Sequence, residues 1–315
     1  MNFTNRLLAI IAFTKQKGLT TTMGFKLFLL FEKFLMIFPK SLIKKFFLSL
    51  GILAYNISSK YRNIAFANLD FAFDSKLSKE EKESITKYSF KNLMLNFYHL
   101  MIIKSISKDE LKSKVTIHNE EAVKKIINEN RAIIYVTPHY CAWELGAISV
   151  GAFIEPVTAV FKSMKNKAYQ SWVLDARSTF GNDSLEKSRV VKPLIKLMKQ
   201  KKACGIVIDT GIKKREGLVV KFLGKDINQT STPAYLARKY DAAIIPVTIK
   251  TNDEENYDLI FYDEIKVQKT ENEEADIFNA TQLQADWLSK LVRDEPKFWF
   301  WVHRRWKYEY PEIYK

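Results

Sequence analysis

His139 and Glu144 stand five positions apart in the stretch Arg131 to Phe153, RAIIYVTPHYCAWELGAISVGAF. Histidine is the side chain that takes and returns a proton near neutral pH, and a carboxylate beside it holds the ring and stabilises the imidazolium. Such a pair suits the activation of a hydroxyl group. On one straight helix a spacing of five leaves two side chains roughly 140° apart. Both reach one point only if His139 lies in a turn and Glu144 in the first helical turns. Pro138 biases the residue before it towards extended backbone, in keeping with that turn. Glu144 then accepts a hydrogen bond from one ring nitrogen and leaves the other free as a base. The helix N-terminus opposes a cation and keeps the resting histidine neutral. The bland alternative is a surface histidine and an unrelated glutamate at a helix start, since H-x4-E also arises by chance.

The elements around the pair read as a buried strand, a tight turn and a helix, the place where an α/β fold exposes reactive groups. From about Val115 onward the pattern alternates. Strands are expected at Val115–His118, Ala132–Thr137, Val157–Phe161, Cys204–Asp209, Leu218–Phe222, Ala242–Ile249 and Asp258–Tyr262. Helices are expected at Glu120–Glu129, Ala142–Phe153, Lys167–Phe180, Lys187–Lys201, Ser231–Tyr240 and Ala280–Asp294. Such alternation predicts an α/β fold, a mostly parallel twisted sheet flanked by helices. Residues 61–112 look helical, with a capping-box pattern from Ser78 to Glu81. No Pro/Gly/Ser linker interrupts the region, so we read 61–315 as one α/β domain.

Other clusters compete for attention. Lys221-Phe-Leu-Gly-Lys225 followed by Asn228-Gln-Thr-Ser-Thr-Pro233 reads as a strand, a glycine turn and a helix start rich in hydroxyls. Free backbone N–H groups beside lysines make it a phosphate or oxyanion contact, or else plain helix capping. Arg177 suits a phosphate clamp, or is an exposed helical arginine. The run Phe298-Trp-Phe-Trp-Val-His-Arg-Arg-Trp-Lys307 mixes rings with cations. It fits base stacking, an interfacial stripe or a closing segment packed on the core. Cys141 lies two residues after His139, yet nothing marks it as an activated thiol. With Cys204 it makes two cysteines and no CxxC, so neither a disulfide nor a metal site is expected. There is no Walker A, G-x-G-x-x-G or G-x-S-x-G motif and no internal repeat.

The net charge of +15 calls for an anionic partner: nucleic acid, anionic lipid, a phosphorylated glycolipid or an acidic carrier protein. Residues 1–60 are apolar and carry nine basic residues, Arg6, Lys15 and Lys17 among them, against the single acid Glu32. No small-residue cleavage site follows a clean apolar run, which argues against a secretory signal peptide. Gly24 to Phe38 is broken by Glu32 and Lys33, and Phe46 to Ser59 is short for a span. We therefore expect 1–60 to be membrane-associated helices lying on an anionic inner leaflet. A single tilted span is the alternative, and an ordinary helical layer over the core the bland one.

Taken together, these residues resemble the bacterial lipid A biosynthesis (lauroyl/myristoyl) acyltransferase family of the lysophospholipid acyltransferase superfamily. The resemblance rests on Arg62 to Leu69 (RNIAFANL), Thr137 to Glu144 (TPHYCAWE), Gly217 to Gly224 (GLVVKFLG) with Thr230 and Leu236-Ala237, and Trp299 to Lys307 (WFWVHRRWK). The usual Gly-Asn before the tryptophan is Cys141-Ala142 here, the common Asp-Gln is Asp209-Thr210, and Lys162, ahead of Asn166, replaces an arginine.

The resemblance implies transfer of a fatty acyl chain from an acyl carrier protein thioester to a hydroxyl of a phosphorylated lipid A precursor. His139 would be the general base and Glu144 its partner. Lys162, Asn166, Arg177, Asp209, Lys221, Gly224, Thr230, Arg304 and Arg305 would bind substrate. No cofactor, no metal and no nucleic acid is implied, and the place is the cytoplasmic face of the bacterial inner membrane. A lysophospholipid or other glycolipid acceptor is the alternative within the superfamily. A non-catalytic basic binder of membrane or nucleic acid is the alternative outside it.

Overall fold

Four helices open the computed structural model, which describes residues 23–315: α1 (Met23–Leu35), α2 (Lys40–Ile57), α3 (Ser59–Ala72) and α4 (Lys79–Ile102). Arg6, Lys15, Lys17 and the rest of 1–22 lie outside the described residues. α4 starts on the expected capping box: Glu81 N–H donates to Ser78 Oγ at 3.1 Å and Ser78 N–H to the Glu81 carboxylate at 2.7 Å. α1 turns Phe25 and Leu29 inward, where Phe25 meets the Tyr169 ring edge-on at 5.0 Å. Its opposite face exposes Leu27, Leu30, Phe31 and Phe34, spaced as one helical stripe. Among the described residues no helix is long and apolar enough to cross a membrane.

After the short α5 (Lys108–Lys112) the alternation begins: β1 (Val115–His118), α6 (Glu120–Asn128), β2 (Ile133–Thr137), α7 (Trp143–Phe153), β3 (Val157–Phe161), α8 (Lys167–Arg177) and β4 (Asp183–Glu186). There follow α9 (Val191–Lys199), β5 (Ala203–Val207), β6 (Leu218–Phe222), β7 (Lys225–Gln229), α10 (Thr232–Tyr240), β8 (Ala243–Lys250), β9 (Tyr257–Phe261) and α11 (Glu273–Asp294). Seven strands form one sheet in the order β1-β9-β8-β2-β5-β3-β4. The block β8-β2-β5-β3-β4 is parallel, β9 runs antiparallel to β8, and β1 follows β9. The mostly parallel α/β sheet expected from the alternation is therefore present. Central strands such as β2 are buried on both faces, which is why they read as unbroken apolar runs.

Several elements differ from the sequence reading. β4 is a polar edge strand with no apolar run to announce it. β6 does not join the large sheet but pairs with β7 in a separate hairpin. Its two-residue turn places Leu223 at φ 51° and Gly224 at φ 81°, the left-handed pair that matches strand twist in tight hairpins. α11 begins two turns earlier than expected because Asn272 caps it, its Oδ1 accepting from Ala275 N–H at 3.0 Å.

The C-terminal segment crosses the domain as a strap. Trp299, Trp301 and Trp306 are fully buried, with Trp299 and Trp301 edge-to-face at 4.6 Å. Their rings are core, so they cannot serve as a base-stacking or interfacial stripe. Truncating such a tryptophan costs about 3–5 kcal/mol. Polar side chains on buried faces of the helical layer hold the strap: Asn68 Nδ2 donates to the carbonyls of Trp301 and His303 at 2.6 and 2.7 Å, and Ser89 Oγ donates to that of Trp299 at 3.2 Å.

Candidate active site

β2 and β5 are neighbours and their C-terminal ends share one edge. The connection from β2 leads to β3 and that from β5 towards β8, on opposite sides, which opens a crevice at the strand ends. His139 follows β2 by two residues and Asp209 follows β5 by two. His139 Nδ1 lies 2.9 Å from Asp209 Oδ1, and His139 N–H donates to Oδ2 at 2.8 Å. A carboxylate facing Nδ1 makes that nitrogen the N–H and leaves Nε2 unprotonated as the basic atom. The histidine side chain is 29% exposed while the aspartate is fully buried.

This corrects the expected partnership. Glu144 does not take the histidine N–H; Asp209 does. Glu144 starts α7, is 7% exposed, and takes a bidentate grip from Arg177, Nε at 2.8 Å and Nη2 at 2.6 Å. Five residues of turn and helix start carry Glu144 away from Nδ1, whereas the neighbouring strand delivers Asp209 to it. Arg177 closes α8, so the β2-to-α7 turn, the end of β5 and the end of α8 supply the cluster.

The electrostatics follow from burial and pairing. Burial works to lower the His139 pKa, but the Asp209 charge and hydrogen bond outweigh it, with a smaller push from Glu144, and the net shift is upward. Burial works to raise Asp209, yet His139 drives it well below the ordinary carboxylate range. Glu144 is held down in the same way, burial being overcome by Arg177. Both carboxylates are thus held ionised, and the paired imidazole is more basic than a free one.

The turn between β2 and α7 is clamped from both sides. Cys141 N–H donates to Phe298 O at 2.8 Å and Phe300 N–H donates to His139 O at 3.0 Å, a short ladder with the strap. From α4, Asn92 and Asn96 donate to Cys141 O at 2.7 and 2.9 Å, and Asn96 Oδ1 accepts from Glu144 N–H at 3.0 Å. Cys141 adopts φ 49°, the left-handed conformation that only glycine takes without penalty. Its thiol is buried and its pKa pushed up to about 11, so it is no nucleophile. Trp299 Nε1 donates to Asp209 Oδ2 at 2.9 Å, and His303 Nε2 lies 3.1 Å from Asp209 O. Trp143 and Phe300 ring His139 at 5.3 and 6.3 Å between centroids.

The remaining expected substrate contacts fare unevenly. Asp209 is fully buried and spent on His139 and Trp299, which leaves it no face open to substrate. Arg305 is fully buried too, its guanidinium 5.7 Å from the Phe222 ring and its Nη1 donating to Asn228 O at 3.4 Å, and it cannot reach substrate either. Burial lowers its pKa to about 10. Arg304 is exposed and lies over the Tyr314 ring. Asn166 caps α8, its Oδ1 accepting from Ala168 and Tyr169 N–H. Lys221 pairs with Asp226 at 2.9 Å across the hairpin, Gly224 forms the hairpin tip, and Thr230 Oγ1 accepts from Thr232 N–H at 3.3 Å just ahead of α10. The predicted glycine turn leads into β7, not into a helix. Lys162 is exposed just beyond β3. Asn92, Asn96, Trp299 and His303 escaped notice as site residues because their roles come from contacts distant in sequence. Among the described residues no cluster of His, Cys, Asp and Glu suits a metal.

The model of the family described as bacterial lipid A biosynthesis acyltransferase matches residues 11–308, nearly the whole chain. The chain belongs to that family. This acyltransferase is similar to the lipid A biosynthesis palmitoleoyltransferase of Escherichia coli (strain K12), with 21% identity over 264 residues, 82% of each chain. It is equally similar to a lipid A biosynthesis acyltransferase of Shigella flexneri, and 23% identical over 163 residues to that organism's lipid A biosynthesis acyltransferase 2, 52% of each chain. The family implies an acyl donor and a glycolipid acceptor.

Proposed function

We propose that this acyltransferase moves a fatty acyl chain from an acyl carrier protein thioester to a hydroxyl of a phosphorylated lipid A precursor, at the cytoplasmic face of the inner membrane. The observation that carries the reading is the buried Asp209 on His139 Nδ1, which leaves Nε2 as the free base at the mouth of the crevice. Nε2 takes the proton of the acceptor hydroxyl as its oxygen attacks the thioester carbonyl. The tetrahedral intermediate collapses with loss of the C–S bond, and the imidazolium returns its proton to the departing thiolate. Asp209 stabilises the imidazolium in between. Glu144 fixes Arg177, whose Nη1 makes no hydrogen bond among the described residues and is the donor we assign to the developing oxyanion or an acceptor phosphate.

Membrane attachment is monotopic in this reading. The outward stripe Leu27, Leu30, Phe31 and Phe34 on α1 enters the interface, with lysines at the headgroups.

The test incubates detergent-solubilised protein with acyl carrier proteins bearing different chains and a tetra-acylated, Kdo-modified lipid A precursor, reading product mass. A gain of one acyl group, lost in His139→Ala, supports the reading. No gain from folded protein sinks it. Gain with a lysophospholipid alone moves the acceptor to that class.

A further inference from the structure

β3, β4 and β5 are adjacent and parallel, so the loops after them leave from the same edge as His139 and Asp209. After β3 come Lys162 and Lys165, after β4 Lys187, and after β5 Lys213, Lys214 and Arg215, all exposed. Lys187 reaches Glu216 at 3.5 Å, which ties the β4 and β5 loops together across the edge. The other five have no ion-pair partner among the described residues. Beyond β8 the same edge carries Glu254 and Glu255, but these are neutralised by Lys91 and Lys44. Among the described residues Asp253 beyond β8 and Glu186 at the end of β4 are exposed acids of the same edge without an ion-pair partner, so the loops after β3, β4 and β5 keep a net positive charge while the β8 side does not. Strands about 4.8 Å apart spread the three loops over about 10 Å before side-chain reach is added. That is broader than one phosphate group and comparable with a docked protein face. Isolated lysines on flexible stems suit electrostatic steering of a protein more than tight capture of a small ion.

We infer that this basic edge of β3, β4 and β5 is the docking surface for an acidic carrier protein, oriented so that its acyl thioester enters the crevice beside His139. The inference rests on the proposed donor. The full-length protein in detergent is compared with Lys165→Glu/Lys213→Glu/Lys214→Glu and with Lys196→Glu/Lys199→Glu/Lys202→Glu. The second variant makes the same charge change at or towards the opposite edge, where β5 begins. Fluorescence anisotropy reads binding of acylated carrier protein, and turnover is followed with that donor and with a small acyl-pantetheine thioester.

The expected result is a rise of about tenfold or more in Kd and KM for the carrier in the first variant only, with flattened salt dependence and unchanged kinetics on acyl-pantetheine. Carrier binding unchanged by the first variant overturns the docking surface while leaving the donor intact. Equal losses in both variants, or loss of binding to phosphatidylglycerol vesicles with carrier affinity unchanged, overturn it as well. Wild-type protein that neither binds the carrier nor accepts its acyl chain overturns the donor assignment together with the surface.

Discussion

Asp209 stands opposite His139 at the register that pairs β2 with β5. Ile134 faces Cys204, Thr137 faces Val207, and the same offset of 70 residues carries on past the strand ends to the histidine and its carboxylate. Two parallel strands thus deliver imidazole and carboxylate to one point without help from local sequence, and the Trp299 indole donates to the same carboxylate.

Asp209→Asn should lower kcat by on the order of 10²–10⁴-fold while the protein stays folded, because the amide no longer enforces the tautomer or stabilises the imidazolium. In the wild type the folded-state His139 pKa lies above the ordinary 6.5, so activity should rise with pH through a midpoint above that value as the base loses its proton. Without the carboxylate, burial dominates and the midpoint should move down. A kcat/KM profile against pH measures both; an unmoved midpoint would contradict the pairing.

Glu144→Gln leaves the Arg177 guanidinium partly buried without its counter-charge. It should cost about 3 kcal/mol of stability, read from urea unfolding. Arg177→Ala strands the carboxylate in the same way. The double variant Glu144→Gln/Arg177→Ala should lose clearly less than the sum of the single losses, since neither charge is then left alone.

Cys141→Ala should keep kcat within about threefold, and iodoacetamide should leave the wild type active, since the thiolate is scarcely populated near neutral pH. Cys141→Val should destabilise the protein, because a β-branched residue resists φ 49°. Thermal unfolding beside the activity assay separates the two effects.

Leu30→Glu/Phe34→Glu changes only exposed positions of α1. It should shift the protein from anionic vesicles to the supernatant in a sedimentation assay, with transfer to detergent-dispersed acceptor preserved. Retention on vesicles would remove α1 from the membrane contact.

Much of the fold was legible because periodicity is local. The strand ending at Thr137, the helix starting near Glu144 and the alternation that follows all appear in runs of a few residues, where apolar spacing reports one-sided or two-sided burial directly. The polar edge strand β4 and the hairpin partner β7 were not legible. The first has no apolar run, and the second owes its course to contacts between the hairpin and α11, such as Leu223 N–H on Ser289 Oγ. Asp209 and Arg305 looked like substrate contacts because charge near a family motif reads as exposed function, and only burial shows otherwise.

The sequence by itself determined the strand-turn-helix that presents His139, the α/β class, and the apolar and basic character of the N-terminal helices. Tertiary structure alone decided which carboxylate holds the imidazole, that Glu144 serves Arg177, and which loops share the edge of the crevice. The reason is the range of the forces. Backbone preference and apolar periodicity act over a turn or two of chain, whereas the partner of a buried charge is chosen by whichever strand the sheet lays alongside, here one 70 residues away.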